Sequence, residues 1–279
     1  MKLPVIDISN KKVSDIEMPE QFNEKVRFDL IERAVLAEQS WNRSPHGTDI
    51  VAGMKASSEL SRRRRNYRGS YGHGISRVQR KVMSRRGTNF NYTGATNPNT
   101  VKGRRAHPPK SYTVWAQKIN KNEYRKAIRS AMSATLLRDF VQKRNHNMPL
   151  TYPFVADAKI ESVEKTKDAI KLLKAIGFEK EFERTYDIKT RAGKGKTRGR
   201  RRIVRKGLLI VVSKECKLLK AVKNIPGFEA VVVDKLKAEH LAPGASPGRM
   251  TIFTTSAIER IKNENLFANK TKNKKLSNK

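Results

Sequence analysis

The sequence is short of acids. Against 61 Lys and Arg stand only 26 Asp and Glu, which leaves a formal net charge of +35 over 279 residues. A compact domain with that surplus repels itself, and the simplest relief is a polyanion held nearly permanently. Cysteine is reduced to Cys216. One thiol excludes an intramolecular disulfide and a cysteine-cluster zinc site, and it fits a reducing compartment. No run of 18 or more apolar residues occurs, and the opening MKLPVIDISN lacks the long apolar core of a signal peptide. Membrane spanning and secretion are therefore not expected. The apolar share of 37% is still too high for a wholly disordered polybasic chain. Some of this sequence folds.

The usual signatures of an α/β enzyme are also missing. Gly72-His73-Gly74 is the nearest spelling of a dinucleotide fingerprint, and it lies in a basic stretch rather than at a strand-helix turn. Gly195-Lys196-Thr197 ends like a phosphate loop, but Thr190 stands where the first Gly belongs and the strand follows the glycines instead of preceding them. HExxH and GxSxG are absent, and no pair of carboxylates stands out. The histidines at 46, 73, 107, 146 and 240 fall among loops and basic segments, where a solvated or RNA-contacting ring is the simpler reading. Four acids between Glu179 and Asp187 alternate with Lys180 and Arg184 and read as local charge balance. Catalytic residues, cofactor and metal ligands are accordingly not expected.

What is present is organised by charge. Residues 1–42 are nearly balanced: LPVIDI at 3–8 reads as a strand, and Pro19 to Gln39 as a helix with Phe22, Val26, Leu30 and Ala34 on its inner stripe. From Arg43 to Lys110 the balance breaks, with 16 basic residues against two acids and no lasting periodicity. So long an irregular insertion does not suit a compact domain, but it suits an arm ordered by a partner. Helices are predicted over Asn120 to Asn145 and Ser162 to Ile176, the second capped by Gly177. A second basic block, 189–206, has ten basic residues and no acid. It leads into GLLIVVS at 207–213, followed by a short helix at 215–222, strands in FEAVVVDKL and RMTIFT, and a last helix at 256–263. This rhythm predicts an α/β fold: a three-layer Rossmann-like domain with a mostly parallel sheet, plus a long extended basic loop inserted after the first helix. The expected organisation is 1–42 as the N-terminal part of that domain, 43–118 as the arm, 119–267 as the remainder, and 268–279 as a flexible basic tail.

Three places carry the chemistry of nucleic-acid contact. Arg43 leads into the first, which comprises Arg62, Arg63, Arg64, Arg65, Arg68, Arg77, Arg80, Lys81, Arg85 and Arg86 with Tyr67, Tyr71 and His73. Guanidinium forks bridge phosphates, and Tyr67, Tyr71, Phe90 and Tyr92 offer faces for splayed bases. Gly69, Gly72, Gly74 and Gly87 allow close backbone approach. The second place is VKGRRAHPPK at 101–110, with Lys102, Arg104, Arg105, His107 and Lys110 ahead of and behind a stiff Pro108-Pro109 pair; Trp115 follows as an anchor for the exit. The third is Lys194, Lys196, Arg198, Arg200, Arg201, Arg202 and Arg205.

Those residues carry a likeness. Trp41-Asn42-Arg43, Gly72 to Arg80, Val101 to Lys110, Arg129-Ser130-Ala131 with Thr135, Arg200-Arg201-Arg202, Lys206 to Val212, Asn224 to Gly227 and Leu241 to Gly244 together span nearly the whole chain. In them the sequence resembles the large-subunit ribosomal protein L4 family in its archaeal and eukaryotic form, and VKGRRAHPPK is the most specific element. Length and arm spelling favour the archaeal type, because eukaryotic members usually continue much further. The resemblance implies a cytoplasmic, non-enzymatic constituent of the large ribosomal subunit. Its α/β domain would sit on the subunit surface, and its arm would thread into large-subunit rRNA toward the polypeptide exit tunnel. Partners implied are that rRNA, neighbouring large-subunit proteins and the nascent polypeptide, with no homo-oligomer required. The arm departs from the family pattern at Leu60-Ser61 and the four arginines, where relatives often have Trp followed by a Gly-Thr-Gly run, so tunnel-lining residues are not carried over singly. A nonspecific RNA-binding or RNA-chaperone protein is the alternative reading, and an RNA-modifying enzyme a third.

Overall fold

The computed structural model describes residues 1–67, 69–87 and 89–269. Arg68 and the tail from residue 270, both named above, lie outside them. In chain order the elements are β1 (Lys2–Ile6), β2 (Lys12–Glu17), α1 (Phe28–Trp41), β3 (Arg80–Arg86), β4 (Asn89–Gly94), α2 (Lys121–Leu136), α3 (Arg138–Lys143) and β5 (Val155–Ala156). There follow α4 (Thr166–Ile176), α5 (Glu179–Tyr186), β6 (Lys189–Thr190), β7 (Arg202–Ile203), β8 (Leu209–Val212), α6 (Leu218–Lys223), β9 (Glu229–Val232), α7 (Ala238–Leu241), β10 (Thr251–Thr254) and α8 (Thr255–Asn263). By its internal contacts the chain forms two compact units. One is Met1–Asn42 with the chain from Ala116 onward, here the body; the other is Arg43–Trp115, here the arm.

The body is built on a six-stranded sheet in the order β2-β1-β5-β10-β8-β9. Every neighbouring pair is parallel except β1 with β2. Alternation along the strands feeds two apolar clusters. Leu3, Val5, Val155, Leu209, Val211 and Phe253 join side chains of α1, α2, α7 and α8, while Ile6, Ala156, Ile210, Val212 and Ile252 join those of α4, α5 and α6. Parallel strands buried on both faces read as continuous apolar runs, which is why LIVV was legible as a strand; TIFT is buried throughout as well, with Thr251 and Thr254 at its ends. Burying each such Leu, Ile or Val fully contributes about 1.5–3 kcal/mol. The result is a mixed α/β fold with a predominantly parallel central sheet and helices packed against it.

Several helix limits differ from the expectation. Pro19 opens only a 3-10 turn over Glu20–Phe22, and α1 begins at Phe28. The intervening backbone is held out of the helix by α2: Ser130 Oγ accepts the Arg27 N–H at 2.7 Å and donates to the Lys25 carbonyl at 3.0 Å. The helix expected over 120–145 is two helices. Leu137 is extended (φ −88°, ψ 111°), and the Thr135 carbonyl accepts the Tyr152 hydroxyl instead of continuing the helical ladder. Gly177 does cap α4, at φ 105°, with Phe178 N–H reaching the Leu173 carbonyl at 3.1 Å. The expectation also lacks β2, an edge strand whose residues are nearly all exposed, and α5, whose sequence EKEFERTY looks like surface charge.

One of those α5 charges, Glu181, is buried. Glu181 accepts from the Asn147 N–H at 3.0 Å, from Arg184 Nε at 2.9 Å and from Arg184 Nη2 at 2.6 Å, and lies 2.8 Å from His146 Nδ1. His146 is therefore a core residue, not the solvated or RNA-contacting ring expected. Burial lowers its basicity, and Arg184 already supplies the cation that Glu181 needs, with Nη2 also 3.1 Å from His146 Nδ1. Burial alone would raise Glu181; the hydrogen bonds from Arg184 and His146 outweigh it and hold the carboxyl below its ordinary value. His240 is likewise lowered by burial. A histidine whose folded pKa is depressed gives full stability above its unfolded value, and loses it as pH falls through that value toward the folded one. Denaturant midpoints should thus decline as pH falls below about 6.5, the ordinary value from which both histidines are lowered. His146→Gln should flatten part of that slope, and a decline unchanged in the variant would remove His146 from it.

Candidate nucleic-acid interface

The arm has almost no core. Ala95 is its one buried apolar side chain among the described residues. What orders it locally is backbone: Thr48 N–H donates to the Pro109 carbonyl at 3.1 Å, and Arg104 N–H to Thr96 at 3.2 Å. The two limbs approach closely because of glycine. A Cβ on Gly53 (φ +77°) would lie 2.6 Å from Gly103 and Arg104 backbone atoms, and one on Gly103 would lie 1.9 Å from the Asn97 carbonyl. Further along, β3 and β4 pair antiparallel, Arg80 opposite Gly94 and Arg86 opposite Asn89, with a register shift between Val82 and Ser84. The arm is thus not the uniformly extended loop expected. The alternation of Asn89, Phe90, Asn91 and Tyr92 was a strand signal hidden by flanking Gly and Asn.

The aromatic rings of the arm meet its own cations. Arg80 lies over Tyr92 and Arg85 over Phe90, each at 5.7 Å, and Arg77 lies over Tyr71 at 5.4 Å. Arg77 Nη1 also donates to the Tyr71 hydroxyl at 3.3 Å. At the arm's base the Trp115 ring carries Arg43 at 4.0 Å and stacks on His46 at 5.4 Å, which gives Trp115 its anchoring contact. The expected role of these rings as free stacking platforms is qualified accordingly: a base at Tyr71 or Tyr92 would share or displace an arginine.

Of the residues singled out from sequence, Arg43, Arg62 to Arg65, Tyr67, Tyr71, His73, Arg77, Arg85, Arg86, Lys102, Arg104, Arg105, His107 and Lys110 are exposed, and Arg80 and Lys81 are half-buried. Among the described residues, Arg62 to Arg65, Arg104 and Arg105 form no ion pair with an acid. Glycines 72, 74 and 87 all have positive φ with open space where a Cβ would stand.

The second basic block is a short hairpin of the body. Lys189 pairs with Ile203 and Thr190 with Arg202, and beyond them Arg191 N–H reaches the Arg201 carbonyl at 2.7 Å. Its tip is closed by local bonds: Arg200 N–H to the Gly195 carbonyl at 3.1 Å and Thr197 Oγ1 to the Lys194 carbonyl at 2.9 Å. Lys194, Lys196, Arg198, Arg200, Arg201 and Arg202 are exposed, whereas Arg205 is half-buried and paired with Asp187 at 2.7 Å. The loop's exit is pinned from below. Arg184 Nη2 donates to the Lys206 carbonyl at 2.6 Å, and the fully buried Arg249 donates from Nε to the Gly207 carbonyl at 2.8 Å. Arg249 Nη1 also bonds Glu229 at 2.6 Å and the His240 carbonyl at 3.0 Å. Burial opposes ionisation of Glu229, but Arg249 and Lys206 bring its pKa down to about 2. Nothing in the sequence marked Arg249 for this role, because its partners lie on separate segments.

The carboxyl ends of the parallel strands, where α/β enzymes bind ligands, are occupied by protein. Glu161 accepts from Ser213 N–H at 3.0 Å, Ser213 Oγ at 2.8 Å and Thr254 Oγ1 at 2.6 Å, joining the ends of β8 and β10. Among the described residues no group of three His, Cys, Asp and Glu side chains is placed to hold a metal, and no helix is long and apolar enough to cross a membrane.

The model of the Ribosomal protein L4/L1 family matches residues 16–264. The chain belongs to that family. As an L4/L1 family member it is a structural, RNA-binding ribosomal protein and not an enzyme. Large ribosomal subunit protein uL4 of Nanoarchaeum equitans is 48% identical over 268 residues, covering 96% of this chain and 100% of the relative. The uL4 of Archaeoglobus fulgidus is 43% identical over 94% of this chain and 98% of its own, and that of Methanococcoides burtonii 41% over 92% and 96%. These matches place the L4/L1 chain with the archaeal type.

Proposed function

We propose that this chain is a constituent of the large ribosomal subunit that binds and organises large-subunit rRNA through two grips, the arm and the 189–206 hairpin. The observation that carries this is the arm's composition against its structure: 16 basic residues and two acids surround a single buried apolar side chain among the described residues. Such a unit is not held by its own core, and a polyanion both neutralises it and supplies its missing contacts. The residues doing so are the exposed cations of 62–65, 77–86, 101–110 and 194–202, with Arg43 at the arm's base. Arg205 acts indirectly by holding the hairpin's exit.

On this reading the body is a three-layer Rossmann-like platform, and the arm, residues 43–118, reaches toward the wall of the polypeptide exit tunnel, where the nascent chain passes. The protein then works in the cytoplasm beside other large-subunit proteins. Washing purified large subunits in rising salt tests the assignment. The protein should stay at about one copy per subunit after peripheral factors have left, and recovery mainly in the soluble fraction would overturn it.

A further inference from the structure

We infer that the body carries a third RNA contact of a different kind, a stacking site for one unpaired base on Trp41; the inference rests on the RNA-binding reading above. Trp41 ends α1 and is 67% exposed. An exposed indole at a helix end is normally free to rotate, but this one is pinned. Its Nε1–H donates to the Gln117 carbonyl at 3.1 Å, and Gln117 is itself fixed through its N–H to Ser40 Oγ at 2.9 Å. The ring's single polar atom is thus spent on backbone, and its remaining surface is offered to whatever fills the adjoining pocket.

That pocket, of about 260 Å³, is lined by Trp41, Ile119 and Tyr124 with Lys121 and Lys237 beside them. It is smaller than a typical small-molecule cavity, which suits one planar group entering from solvent. Its one acid, Glu38, faces away in chemical terms: the carboxylate accepts the Tyr124 hydroxyl, Ala238 N–H at 2.9 Å and Glu239 N–H at 2.8 Å. Burial and Glu38 both raise the Tyr124 pKa, so the phenol remains a donor to Glu38. Lys121 and Lys237 are exposed and, among the described residues, form no ion pair. An aromatic and apolar slot with two unpaired ammonium groups at its mouth matches a base with its flanking phosphates. Base-aromatic stacking is tolerant of sequence, and the lysines supply the backbone attraction. An apolar peptide side chain would fill the slot but leave both lysines uncompensated.

The test uses the full-length chain with Trp115→Phe, which leaves Trp41 as the sole tryptophan. Single-stranded oligoadenylate should quench Trp41 emission on binding, while polyphosphate, with charge and no bases, should bind without quenching. In the otherwise unaltered chain, Trp41→Ala should weaken oligoadenylate binding roughly five- to hundredfold. Trp41→Phe should stay within about threefold, and the salt dependence should not change, because no phosphate contact is removed. Equal quenching by polyphosphate, or unchanged oligoadenylate affinity in Trp41→Ala while rRNA binding persists, overturns the stacking site alone. Unchanged affinity together with weaker subunit assembly assigns the pocket to a protein neighbour and also overturns it. Binding of neither oligoadenylate nor rRNA by the unaltered chain overturns the RNA reading itself.

Discussion

Deleting residues 55–110 should leave a body that folds and a protein that large subunits fail to retain. Both apolar clusters are made wholly of body residues, so their contribution to stability survives the deletion. The cut is also topologically mild. A Cβ on Gly47 would lie only 2.5 Å from the Ser111 nitrogen, so the two limbs already touch at the level where the remaining residues must reconnect. A loop of a few residues then closes at small entropic cost. What is lost is the arm's cationic surface, including all ten of the basic residues from Arg62 to Arg86 singled out from sequence. Far-UV circular dichroism should keep the helical signal and unfolding should remain cooperative, whereas occupancy on salt-washed subunits should fall by roughly tenfold or more, since several phosphate contacts vanish together. Occupancy equal to that of the intact chain would sink the arm's proposed role. Loss of all secondary structure would sink the division of labour between body and arm.

The second large effect is on salt dependence. Ten or so phosphate contacts, shared between arm and hairpin, predict that affinity for large-subunit rRNA falls by about 10³–10⁵ between 50 and 200 mM monovalent salt. Replacing Arg200, Arg201 and Arg202 together by Ala should make the log-log slope shallower by roughly three and weaken binding across RNA sequences alike. These side chains are exposed and the hairpin's backbone closure does not depend on them, so the body should keep its stability. A flat plot for the intact chain, or an unchanged slope in the triple variant, would refute the phosphate-contact account.

Much of this was open to reading before any fold was in hand. Strands flanked on both faces by helices are mostly apolar, and LIVV at 209–212 therefore declared itself, as did Ile252-Phe253 between two β-branched threonines at 251–254. Gly177 announced a helix end because a left-handed residue is needed there. The arm was legible from composition, since a stretch with 16 basic residues in 68 positions and little apolar content has no means of building a core. The hairpin of β3 and β4 was harder. Its pairing depends on cross-strand partners, and its arginines and asparagines have no strong strand preference of their own.

Charge and periodicity are local properties, and they determined the class of the protein: a parallel α/β body, a cationic insertion, a second basic block and a nucleic-acid partner. Contacts between distant segments are not local, and only the tertiary structure decided them. It turned His146 and Glu181 from surface charge into a buried pair, and it set Ser130 against Arg27 to delay the start of α1. It drew Arg249 to Gly207 and Glu229 beneath the basic hairpin, and Glu161 across the strand ends where an enzyme would keep its site. It also pinned Trp41 to Gln117, 76 residues along the chain. In each case the deciding bond joins groups whose separation in sequence carries no information about their distance in space.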